Sequence, residues 1–284
     1  MCVALAFVVA VVAAPPVTGA QSFRVRTFTF VDRSRTARLR DGETAARTLV
    51  TVVRIPAAPG RHPLVVFAHG FALMPGTYAE LLDAWARAGY VVAAPAFPLE
   101  RANAPGGPDE SDLVNEPRDI SFVVDRLLAL DRAAHDPLTG AIDRSRIAVA
   151  GHSDGAVAAL AAAYDPRFRD ARFRAAIVLS GAMLGGMRSF STKGPPLLAV
   201  QGTDDPINSP ATTAGYFALA HRPKFLLWLL GASHRPPYTT EQPQLGIVEL
   251  ATIDFLGRYL RGEPLGPFVR AARRRGLTRL VADP

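Results

Sequence analysis

Residues 146–155 read RIAVAGHSDG. An apolar run ends on a glycine, and the chain resumes at Ala156 with AVAALAAAY, a small-residue helical stretch. Ser153 stands between Gly151 and Gly155. In a G-x-S-x-G pattern the glycines let a strand turn sharply into a helix, leaving the serine strained with its hydroxyl at the C-terminal edge of a sheet. At this chain's glycine and serine frequencies such a pattern arises by chance about 0.07 times, and its setting between a strand-like and a helix-like run sharpens it. The stretch predicts a strand, an elbow and a helix over 154–164.

Outward from the elbow, the same alternation continues. PLVVFAH, YVVAAP, RIAVAG, AAIVLSG, PLLAVQG and KFLLWLLG are six apolar, β-branched-rich runs suited to strands buried on both faces. FRVRTFTF and ARTLVTVVRI alternate polar with apolar, as antiparallel strands with one wet face do. Helices with an apolar stripe are expected over 77–88, 117–130, 154–164, 210–220 and 244–260. Together these give an α/β chain with a mostly parallel sheet of about eight strands and helices on both faces. Only a short excursion fits between Gly181 and Pro195, so no large lid is expected and the active face is open. The glycine- and proline-rich loop LERANAPGGPDESDLVNEP is expected to shape the cleft.

A serine hydroxyl becomes a useful nucleophile only with an adjacent base, an acid that orients the base, and donors for the developing oxyanion. The base is expected in a loop beyond the last strand, and KFLLWLLGASHRPPY places His234 there. His152 is locked beside the serine and should point away from it, while His62, His135 and His221 fall at loop or helix-end positions. The acid is expected one strand earlier, where LLAVQGTDDPINSP offers Asp204 and Asp205; side chains of neighbouring residues on an extended loop diverge, so one of the two faces the imidazole. Oxyanion donors are expected from the N–H of Asp154, after the nucleophile, and of Phe71, in the FAHGF turn. His69 in that turn is read as a brace. An apolar substrate floor is expected from Phe71, Met183 and Tyr78.

The chain is 284 residues long with a net charge of +7, and its basic residues are scattered among acidic ones. The one dense cluster, FVRAARRRGLTRL, is read as a solvated tail; nothing resembles a nucleic-acid surface, and no ligand spacing calls for a metal or an organic cofactor. Residues 1–20 carry no charge and hold an apolar run over 3–14 that is too short to span a bilayer. They are read as a signal peptide lacking the usual positive start, with cleavage before Gln21 and a single catalytic domain over 21–284. The protein is then expected to be secreted or in the cell envelope, with no stable membrane anchor. Cys2, the sole cysteine, falls in this leader.

These residues resemble the α/β-hydrolase superfamily over nearly the whole mature chain. PLVVFAHGFALMPGTYAELLDAWARAGYVVAAPAFP, RIAVAGHSDGA and GASH are similar to the corresponding segments of chlorophyllases, dienelactone-hydrolase-like proteins, platelet-activating-factor acetylhydrolases and actinobacterial cutinases. The resemblance implies an α/β-hydrolase fold and a cofactor-free Ser-His-Asp carboxylesterase. In that group the acid stands in G-x-x-D, which from Gly202 selects Asp205. The substrate would be a small or polymeric ester. Polyester cleavage is disfavoured by three departures: Ala182 and Met183 stand near the position of the usual tryptophan, Asp154 replaces a methionine, and the C-terminal disulfide is missing. Dienelactone hydrolases proper use cysteine where this chain has Ser153. Acyl transfer to another alcohol would use the same residues. A serine peptidase of this fold usually brings a propeller or cap for which the chain has no room, and a non-catalytic binding protein would have lost a triad member that is present here.

Overall fold

Side-chain alternation along each central strand divides the protein into two cores. In the computed structural model, which describes residues 22–40 and 42–284, Leu64, Val66 and Ala68 enter one core while Val65 and Phe67 enter the other. The strands β3 (His62–Ala68), β4 (Val91–Ala96), β5 (Ile142–His152), β6 (Phe173–Leu179), β7 (Leu197–Gly202) and β8 (Lys224–Leu229) follow this rule and pair in parallel. Apolar side chains on both faces require a cover on both faces. Helices α2 (Glu116–Leu130), α3 (Asp154–Tyr164) and α4 (Pro210–Leu219) cover one; α1 (Ala79–Arg87), α5 (Gln244–Leu256) and α6 (Leu265–Ala272) cover the other.

The sheet order is β1-β2-β4-β3-β5-β6-β7-β8-β9, where β1 (Phe23–Arg38) and β2 (Thr44–Pro56) form an antiparallel hairpin at one edge. This is an α/β-hydrolase fold. Arg47 on β2 reaches inward to bond Asp112 and Asp119 at 2.5–2.9 Å, tying the loop that follows β4 to the hairpin. Among the described residues no lid crosses the C-terminal edge of the parallel strands. The proposed leader over 1–20, with Cys2, lies outside the described residues, and no helix among those described is long and apolar enough to cross a membrane.

Among the described residues the sheet has nine strands against an expectation of about eight, because the arginine-rich C-terminal cluster is not a solvated tail. It supplies α6 and then β9 (Thr278–Asp283), which pairs antiparallel with β8. Phe268 of α6 is fully buried, its ring 5.0 Å from that of Phe225 and 5.9 Å from that of Phe255. The arginines line the outside of a packed segment, with Arg279 lying over the Trp228 ring. Charge density concealed a short apolar stripe.

Phe268→Ala should therefore lower unfolding stability by about 3–5 kcal/mol in chemical denaturation. A loss below about 1 kcal/mol would return the segment to the status of a loose tail.

Candidate active site

The elbow owes its shape to two close approaches. A Cβ on Gly155 would stand 2.2 Å from the Ala68 carbonyl oxygen, and one on Gly151 would stand 2.1 Å from the Gly155 carbonyl oxygen. Only glycine lets α3 start this close to β3 and β5. The backbone strain falls instead on Ser153, at φ 55° and ψ −123°, while its N–H donates to the Leu179 carbonyl at 3.0 Å.

From the loop after β8, His234 Nε2 lies 2.9 Å from Ser153 Oγ, and His234 Nδ1 lies 2.8 Å from Asp205 Oδ2. Asp205 sits in the loop after β7. Its other oxygen accepts from the N–H groups of Ile207 and Asn208, each at 2.9 Å, and the Gln201 amide donates to Oδ2 at 3.0 Å. Burial alone would raise the Asp205 carboxyl; the bonds from His234, Ile207 and Asn208 outweigh it and hold the group below the ordinary carboxylate range. Asp204 turns away and accepts from the Thr203 hydroxyl. The two loops meet at Gly202, where a Cβ would stand 2.3 Å from the Ala232 carbonyl oxygen.

Phe71 follows β3 on the opposite side of Ser153, and a Cβ on the preceding Gly70 would touch Ser153 Cβ at 3.0 Å. Asp154 is the first residue of α3, so its N–H has no partner within the helix. His69 accepts from the Phe97 N–H at 3.0 Å and donates to the Gly70 carbonyl at 2.9 Å; burial lowers it to about 4, so it braces the loop as a neutral ring. Ser153 and His234 open onto a cleft of about 310 Å³ with Phe71, Leu73, Pro206, Ser233, Arg235 and Pro236 around them. Among the described residues no group of His, Cys, Asp or Glu is placed to hold a metal ion.

The family model described as Chlorophyllase matches residues 27–215, about two thirds of the chain. The chain belongs to the chlorophyllase family. No curated protein matches it. Membership makes it an ester hydrolase of the α/β-hydrolase type. The matched stretch runs from β1 into α4, so it includes Ser153 and Asp205 and ends before His234.

In this chlorophyllase-family chain two residues of the expected substrate floor, Tyr78 and Met183, stand elsewhere. Tyr78 is fully buried: its hydroxyl accepts from the Gly70 N–H at 3.2 Å and donates to His152 Nδ1 at 2.7 Å. His152 in turn donates from Nε2 to the His234 carbonyl at 2.9 Å. Burial lowers His152 to about 3, so this relay is neutral. It joins the Phe71 loop, the elbow and the His234 loop, a positioning role that no local pattern in the sequence announces. Met183 is 38% exposed and does not line the cleft, so Phe71 alone of the three expected floor residues does so.

Behind the elbow lies a second feature that the sequence concealed. Glu100 and Glu116 are both fully buried, and their carboxyl oxygens find no donor among the described residues. The two carboxyls face one another, so a shared proton is the donor available to them. Burial and the negative charge of Asp154 push Glu100 up to about 9, and burial with the charge of Glu100 raises Glu116. Burial and Glu110 raise Asp154 to about 6.

The sign of the pH effect follows. The unfolded chain releases a proton near the ordinary value of 4.5, whereas the folded protein retains one to about 9; stability is full below the first value and declines as pH rises toward the second. Glu116→Gln, which supplies an amide donor for Glu100, should raise the urea unfolding midpoint at pH 8, by about 1–3 kcal/mol in stability, and not at pH 4. An equal gain at both pH values, or a loss at pH 8, would contradict the shared proton.

Proposed function

We propose that the protein is a serine carboxylesterase that works through an acyl-enzyme. The observation that carries this reading is the unbroken hydrogen-bonded line from Ser153 Oγ through His234 to Asp205, with the serine on a strained elbow. As Oγ attacks an ester carbonyl, His234 Nε2 takes its proton, and the Asp205 carboxylate keeps the ring oriented and stabilises the imidazolium. The N–H groups of Phe71 and Asp154 receive the oxyanion. His234 then passes its proton to the leaving alcohol; water attacks the acyl carbon as it gives a proton to His234, and that proton goes to Ser153 Oγ as the acyl–Oγ bond breaks and the acid leaves.

The lidless face supports hydrolysis over transfer to a second alcohol, because water reaches a ring that retains 15% exposure. The modest cleft supports small acyl groups, and Ala182 and Met183 offer no aromatic clamp for a polymer ring. The uncharged leader over 1–20 supports export, with residues 21–284 acting as one mature catalytic domain.

Initial rates of the purified protein on p-nitrophenyl esters from acetate to palmitate test this reading. Rates should be highest for short acyl chains. Ser153→Ala should remove on the order of 10⁶-fold of kcat, and Asp205→Asn on the order of 10⁴-fold. Turnover that survives Ser153→Ala would overturn the assignment.

A further inference from the structure

We infer that the preferred substrate is an ester bearing a carboxylate, held by Arg235 at the rim of the cleft. The inference rests on the ester-hydrolase reading above and names its substrate class. Arg235 follows His234 directly, is exposed and lines the same cleft as Ser153. Its guanidinium makes no hydrogen bond or ion pair with any described residue. Some arginines of this protein are held by acids, as Arg47 is by Asp112 and Asp119 and Arg144 by Asp131, and many exposed ones are not; what sets Arg235 apart is that its free guanidinium belongs to the lining of the Ser153 cleft. At Arg235 the acid would have to come from outside.

Nothing in the cleft competes for that charge. Its walls are Phe71, Leu73, Pro206, Pro236 and Ser233, with no carboxylate among them. The Asp205 side chain is fully covered and committed to His234. The Asp154 carboxyl is not part of the cleft lining. The positive charge also reaches inward, where it helps keep His152 neutral. A guanidinium fork matches a carboxylate with two parallel hydrogen bonds, a geometry that a neutral ester oxygen does not offer. Arg235 directly follows His234 and lines the same cleft as Ser153, so an anion close to the scissile ester is the one it would meet. The fitting class is the half-ester of a short dicarboxylic acid. Hydrolysis adds one water and yields the dicarboxylate and an alcohol.

The test compares p-nitrophenyl hydrogen glutarate, an anion, with p-nitrophenyl pentanoate, its neutral counterpart, at low salt and neutral pH. In the wild type the ratio of kcat/KM, anionic over neutral, should be about ten, carried by KM and eroded by added salt. Arg235→Gln should bring the ratio near one, Arg235→Glu below one, and Arg235→Lys should restore part of it. A wild-type ratio at or below one, or a ratio unchanged in Arg235→Gln, overturns the inference while Ser153-dependent turnover of the neutral ester leaves the hydrolase reading intact. Absence of Ser153-dependent turnover on both esters removes the two together.

Discussion

The contact on which the rest of the structure depends is the approach of Gly155 to the carbonyl of Ala68. It seats the first turn of α3 directly against β3, and Gly151 lets β5 pass beneath that turn. With both glycines committed to close packing, the change of chain direction is concentrated at Ser153, whose positive φ lifts the hydroxyl to the sheet edge. Every other element of the site is placed relative to that point. The β3 loop brings Phe71 to the cleft, and the β7 and β8 loops bring Asp205 and His234 into hydrogen-bonded line with the serine. A strained serine persists only where its surroundings over-determine it, and α3, buried from Gly155 to Tyr164, supplies that rigidity.

The loops around the serine are held by neutral hydrogen bonds. Tyr78 and His152 carry no charge, yet they connect the Gly70 backbone to the His234 backbone through an interior where burial opposes ionisation. This arrangement leaves Asp205 as the fully covered carboxylate beside the imidazole. The buried Glu100 and Glu116 follow the same rule from the acid side, because two carboxyls without a cation retain a proton. The contrast with Arg47 is direct: there two aspartates share a buried guanidinium and remain bonded to it.

Much of this was legible in the sequence, for physical reasons that differ between parts. Strands buried on both faces announce themselves as apolar runs, and the GHSDG elbow fixes where α3 begins, so the expected 154–164 span coincides with the helix. The sequence pattern assigns the glycines to easing the turn; the structure gives them to interatomic distance and gives the unusual dihedral to Ser153. Tyr78 stands in the sequence as an aromatic near the active loop, and only the tertiary packing shows it sealed beneath that loop. The same holds for Glu100 and Glu116 within a polar, glycine-rich segment, and for Phe268 among arginines. For the glutamates and Phe268 local composition argues for solvent, and in all three places partners distant in sequence decide the outcome.

The account centres on Ser153 as an activated nucleophile, and covalent capture tests that most directly. After treatment with an organophosphonate ester, intact mass followed by peptide mapping should find one adduct per chain, on Ser153, formed far more slowly in Asp205→Asn. An unmodified protein, or an adduct on any other residue, would contradict it.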